Sequence, residues 1–113
     1  MEIDTVRKAP EQPLDLARRI VDILSDRKAA DIVLLDIHPM ASFADYFVIC
    51  TAASERQMQA LAEAVAEALE RDGIRPAQVE GAPDSGWILM DYGDVIVHIF
   101  SPDTRSYYQL ERI

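Results

Sequence analysis

Apolar positions are densest between Ser85 and Phe100, where two runs rich in β-branched and aromatic residues flank Tyr92-Gly93. Glycine reaches the positive φ that a tight reversal needs, so this stretch predicts a β-hairpin around which the rest of the chain packs. Side chains alternate along a strand, which puts Trp87, Leu89 and Asp91 on one face and Ile88, Met90 and Tyr92 on the other. The second run continues the pattern, with Val95, Val97 and Ile99 on one side and Ile96, His98 and Phe100 opposite. Both faces are mostly apolar, the mark of strands covered on two sides. Trp87 is the only tryptophan in the chain and stands at a strand entrance after Gly86, which fits partial exposure as well as an ordinary core position.

Helical periodicity begins at Pro13. Leu16, Ile20, Ile23 and Leu24 recur at three- and four-residue spacing, with Arg18, Arg19, Asp22 and Asp26 between them, predicting an amphipathic helix to about Lys28. Asp31 to Ile37 reads as a strand ended by His38-Pro39, and Asp45 to Thr51 as a second. The short connection through Met40, Ala41 and Ser42 predicts that the two pair antiparallel. Ser54-Glu55-Arg56-Gln57 fits a capping box, opening a long helix whose stripe is Met58, Leu61, Ala62, Val65, Ala66 and Leu69 and whose end is marked by Gly73.

Residues 75–80 suit a short edge strand because Pro76 lacks the amide a central strand requires, and Gly81 to Gly86 reads as a flexible turn. Ser101-Pro102-Asp103 has the form of a helix start, followed by Tyr107, Tyr108, Leu110 and Ile113 at roughly helical spacing. Residues 1–12 contain Pro10 and no sustained period, predicting a loose leader before a single domain over 13–113. The order α-β-β-α-β-β-β-α predicts an α/β sandwich: a mixed sheet of four or five strands flanked by helices on both faces.

At 113 residues, 50% of them hydrophobic and 27% charged, the chain has the size and composition of one globular domain. No apolar run approaches the roughly 20 residues of a membrane helix, so no membrane partner is expected. The first residues lack the basic-then-apolar layout of a secretory signal, and the lone Cys50 has no disulfide partner within the chain; both point to the cytoplasm. Eleven Lys and Arg against twenty Asp and Glu leave a net charge of −9, which repels a phosphate backbone. Extensive direct nucleic-acid contact is therefore not expected, whereas a basic protein partner would be attracted.

Catalytic and metal chemistry find little support in the residue pattern. His38, His98 and Cys50 share no ligand-like spacing, so neither a metal nor a cofactor is expected. His98 reads as a core or hydrogen-bonded histidine and Cys50 as a small buried hydrophobe. Asp91 with Asp94, or Asp31 with Asp36, could form an acid–base pair. An acidic residue beside a turn is better explained by hydrogen bonds to the turn amides, expected here of Asp94. Neither a Gly-x-Ser-x-Gly elbow nor a Walker-type phosphate loop occurs, and a capping role accounts for Ser54. Tryptophan and several tyrosines near turns and ends lean instead toward a binding protein.

Four separated stretches, Ala44 to Thr51, Ser54 to Gln57, Gly86 to His98 and Arg105 to Glu111, closely resemble the ribosomal silencing factor, or Iojap-like, family in order and spacing. The resemblance runs from about Leu14 to the end. It implies a nucleotidyltransferase-type α/β sandwich without catalytic activity, often a homodimer. It further implies binding to the large ribosomal subunit through the ribosomal protein numbered fourteen. Occupying that site blocks joining of the subunits and represses translation when nutrients are scarce. On this chain the resemblance points to the hairpin from Trp87 to Asp94 as the contact region, with Trp87, Leu89, Asp91 and Tyr92 as protein-binding residues. Two departures stand out: Ala52 follows Thr51 where the family usually has glycine, and the chain ends Glu111-Arg112-Ile113 where the family's final motif carries tryptophan. The competing reading is a nucleotide-binding protein or nucleotidyltransferase, resting on fold analogy alone.

Overall fold

The computed structural model describes residues 12–112. In chain order these form helix α1 (Pro13–Asp26), strands β1 (Ala30–Asp36) and β2 (Tyr46–Thr51), and helix α2 (Glu55–Glu70). Strands β3 (Gln78–Ala82), β4 (Trp87–Asp91) and β5 (Val95–Phe100) and helix α3 (Pro102–Tyr108) follow. The leader expected over residues 1–12 lies, apart from Gln12, outside the described residues.

The five strands make one sheet in the order β1-β2-β5-β4-β3. The hairpin predicted around Tyr92-Gly93 is β4 and β5, with Trp87 opposite Phe100 and Asp91 opposite Ile96. β1 and β2 pair antiparallel, as their short connection requires, and β3 forms an edge beside β4. The one parallel pairing joins β2 to β5, Tyr46 beside Val95 through Thr51 beside Phe100, which makes the sheet mixed.

Helix boundaries follow local chemistry. α1 stops at Asp26, short of the Lys28 expected, because Lys28 itself takes a left-handed φ of 68° and the Ala29 amide turns back to the Leu24 carbonyl at 3.0 Å. Before α2, the Ser54 hydroxyl accepts from the Gln57 amide at 3.0 Å, but the Gln57 side chain takes the Ala53 amide at 2.6 Å. The box is thus displaced by one residue from the reciprocal form expected, since in that form the Gln57 side chain would take the Ser54 amide. Gly73, at φ 79°, lets Ile74 fold back on Leu69 and into the core. β3 extends through Ala82, so the turn expected over Gly81 to Gly86 contracts to one 3-10 turn, Pro83–Ser85, closed by Gly86 at φ 80°. Proline opens α3 and the Ser101 hydroxyl caps it, accepting from the Thr104 amide.

The two faces of the sheet are covered unequally. On one face α1 and α2 bury Ile20, Leu24, Met58, Leu61, Val65 and Leu69 against Val48, Cys50, Met90, Val97 and Ile99. On the other, Ile37, Ala44, Phe47, Ile49, Ile96 and Phe100 form a smaller cluster. Its edges are Leu35, Ala41, Trp87, Leu89 and Leu110, contributed by strands, the loop after β1 and the C-terminal segment. Helices are expected on both faces; among the described residues this second face has α3 as its only α-helix, followed by a 3-10 turn, Leu110–Arg112. The centre of this cluster is nonetheless buried, and water reaches the flanking Leu35, Ala41, Trp87, Leu89 and Leu110.

Candidate protein-binding face

The face opposite α1 and α2 is built by strand alternation. Leu89 sits in register with Glu80 on one side and His98 on the other, and Phe47 with Ile96, so these side chains form rows across the sheet. Aromatic rings run along the rows. Phe43 lies 6.3 Å from Phe47, which meets His98 edge-on at 4.5 Å. His98 stacks on Phe100 at 6.0 Å, Trp87 lies 5.0 Å from Phe100 and 4.7 Å from Tyr108, and Tyr107 meets Tyr108 edge-on at 4.9 Å. The ends of this stripe are wet: Phe43 is 65% exposed and Tyr107 80%.

Trp87 is half-buried at the centre of the stripe. Its indole Nε1–H donates to Nδ1 of His98 at 3.2 Å, so His98 is neutral and carries its proton on Nε2. That Nε2 is buried with no partner among the described residues, and burial pushes the pKa of His98 down to about 4. His98 is therefore the structural, hydrogen-bonded histidine that its place in the strand suggested.

Three of the four residues named from the resemblance share this face. Trp87 and Leu89 are half-buried on it. Asp91 lies beside them, and its carboxylate accepts from the Gly93 amide at 2.8 Å. The turn-binding role expected of Asp94 thus falls to Asp91, because a side chain two residues before an amide has the reach to close an Asx turn. Asp94 contributes instead through its carbonyl, which accepts from the amides of Asp45 and Tyr46. Tyr92 falls on the helix-covered face. There it packs against the main core, its hydroxyl is buried without a partner among the described residues, and desolvation pushes its pKa up to about 12.

Sequence pattern did not single out Met40 or Phe43, because a loop has no period to read, nor Glu80, whose relevance comes only from its neighbour across the sheet. Tyr107 and Tyr108 stood out for helical spacing, but their contact with Trp87 depends on how α3 folds back. Arg105 fixes that return. Its Nη1 donates to the Asp31 carbonyl at 2.6 Å and to the Thr51 hydroxyl at 2.8 Å, and Nε and Nη2 both donate to Glu111 at 3.0 and 2.9 Å. This pairing holds the Glu111 carboxyl below its usual range. The Thr104 hydroxyl adds a bond to the Gly86 carbonyl. Between α3 and the sheet a cavity of about 250 Å³ opens, lined by Glu80, Ser85, Trp87, Leu89, Thr104 and Tyr108 together with Gly81.

The chemistry elsewhere is that of a scaffold. Cys50 is fully buried and its thiol is pushed up to about 12, far from a nucleophile's range. Asp36 is taken up by an exposed pair with His38 at 2.6 Å, which lowers the pKa of the carboxyl and raises that of the imidazole. Among the described residues no three His, Cys, Asp or Glu gather in a way that could hold a metal ion, and no helix is long and apolar enough to cross a membrane.

The family described as "Ribosomal silencing factor during starvation" matches residues 10–113. The ribosomal silencing factor of Bacillus subtilis is 42% identical over 88 residues, covering 78% of this chain and 75% of that protein. A crystal structure from Chromobacterium violaceum superposes with a TM-score of 0.85 at 33% identity, over 89% of this chain and 84% of the other. One from Bacillus halodurans gives 0.74 at 38% identity, over 88% and 90%.

Proposed function

Because the chain belongs to the ribosomal silencing factor family, we propose that it is a non-enzymatic factor that silences ribosomes by binding the large subunit. In this reading the contact is the ribosomal protein numbered fourteen, and the bound factor occupies the surface on which the small subunit would dock. It does so in the cytoplasm, repressing translation under nutrient limitation. The face carrying Trp87, Leu89 and Asp91 is the docking surface, and Tyr92 supports it from behind.

The observation that carries the proposal is the half-buried Trp87, packed between the buried Phe100 and the exposed Tyr108 in an aromatic stripe whose two ends, Phe43 and Tyr107, stand in water. Tryptophan and tyrosine are the usual anchors of protein interfaces, and a partly desolvated ring surrounded by other rings needs only a lid to become fully buried. Net charge acts in the same direction: −9 draws a basic ribosomal protein and holds bare RNA away. A second copy of the chain could cover the same rings, which makes a homodimer part of the proposal.

Co-sedimentation with isolated large subunits tests the binding, and monosome formation from separated subunits tests the block. Trp87→Ala should weaken binding by about 2 kcal/mol or more, while Trp87→Phe, which keeps a ring in the stack, controls for folding. Undiminished monosome formation at saturating protein overturns the silencing role. Light scattering that finds only monomer across a wide concentration range removes the dimer.

A further inference from the structure

We propose that the cavity beside Trp87 receives one basic side chain, arginine or lysine, projected by the protein partner. The inference rests on the reading that this face binds a protein, and it specifies what that protein must present.

Size comes first. At about 250 Å³ the cavity falls below the roughly 300–1,000 Å³ of sites for whole small molecules, and suits a single side chain. Much of its lining is apolar or aromatic: Leu89 with Trp87 and Tyr108, whose rings lie 4.7 Å apart. Such walls take the methylene stem of a long side chain, and their ring faces attract a cation at its tip.

The polar groups then select the charge. The Ser85 hydroxyl spends its proton on the Ala82 carbonyl at 2.7 Å, and the Thr104 hydroxyl on Gly86. The Trp87 indole N–H is committed to His98. Apart from the Tyr108 hydroxyl, the lining side chains therefore offer acceptors and no donors. Glu80 is the one charged residue of the lining. One of its oxygens accepts from the Gln78 amide, and no Lys or Arg pairs with it among the described residues. Glu80 is exposed, so its carboxylate gives the mouth of the cavity a negative charge that an apolar occupant would leave unpaired. An anion would meet like charge. A guanidinium or ammonium satisfies the carboxylate and the rings together.

Two measurements test this. In the first, the free protein is titrated with N-acetyl-arginine amide, N-acetyl-lysine amide and the neutral N-acetyl-norleucine amide while NMR signals of Glu80, Leu89 and Tyr108 are followed. In the second, Glu80→Gln is compared with wild type for binding to large subunits at several salt concentrations. The cationic amides should shift those signals and the norleucine amide should not. Glu80→Gln should lose about tenfold in affinity, the expected size for a hydrogen bond to a charged group, and part of the salt dependence. Equal shifts by all three amides, or full affinity of Glu80→Gln, overturns the proposal. Should the wild-type protein fail to bind large subunits, the functional reading falls, and the amide titration still decides the preference of the cavity.

Discussion

The indole N–H of Trp87 donates to Nδ1 of His98 at 3.2 Å, so the ring at the surface is oriented by a histidine lying in the sheet beneath it. His98 is 3% exposed and stacks on Phe100, which leaves the acceptor little freedom to follow a moving partner. Anchor and support thus form one unit, and the charge state of the support matters to both.

A pH effect follows. In the unfolded chain His98 titrates near 6.5, whereas in the fold it resists protonation down to about 4. Between these values the unfolded state binds a proton that the native state does not, so stability falls as pH is lowered through the window, by roughly 3 kcal/mol in all. His98→Gln keeps an acceptor for the indole and cannot titrate. Urea unfolding of the two proteins from pH 7 to 4 should show the wild type losing more stability than the variant by that amount.

Arg105 bridges α3 to β1, β2 and Glu111. Replacing it by alanine leaves the Asp31 carbonyl and the Glu111 carboxylate without their donor, at a cost of about 2–3 kcal/mol. Amide hydrogen exchange in residues 101–112 should accelerate in Arg105→Ala while exchange within α2 slows or speeds only with global stability.

Two glycines with the same backbone conformation should respond differently to alanine. At Gly81, φ 87°, a Cβ would fall 2.0 Å from the Trp87 carbonyl oxygen, and at Gly93, φ 88°, it would meet nothing within 4 Å. Gly93→Ala is expected to cost about 1 kcal/mol, the penalty of the left-handed conformation alone. Gly81→Ala must also push β3 from β4, and should exceed about 3 kcal/mol in denaturant melts.

Phe43 is exposed and touches Phe47 at the far end of the aromatic stripe. Phe43→Ser should leave thermal stability within about 0.5 kcal/mol of wild type. Co-sedimentation with large subunits should show binding weakened by about 1 kcal/mol, as for a peripheral interface contact.

Local pattern made much of this legible. The alternation from Trp87 to Phe100 located the hairpin and already separated Trp87, Leu89 and Asp91 from Tyr92, and Ser54 and Gly73 bracketed α2; the edge strand expected over 75–80 because of Pro76 runs instead from Gln78 to Ala82, with Pro76 ahead of it. What stayed hidden depends on contacts distant in sequence. Nothing near Tyr46 announces that its neighbour is Val95, and nothing near Glu80 announces Leu89. Lys28 adopts a conformation usually left to glycine, so the end of α1 was misplaced by two residues. Asp91 and Asp94 flank the same turn, and only the geometry tells which carboxylate reaches the amide.

The parallel seam between β2 and β5 also governs how the molecule can be made. β2 is synthesised early, yet the strand that completes its inner side comes almost at the end of the chain. A chain made only as far as α2 therefore carries an unsatisfied hydrogen-bonding edge, Tyr46 to Thr51, the kind of surface that recruits wrong strands. The sheet is thus two antiparallel blocks, β1-β2 and β3-β4-β5, each local in sequence, and the seam between them is the long-range contact whose closure costs the most chain entropy.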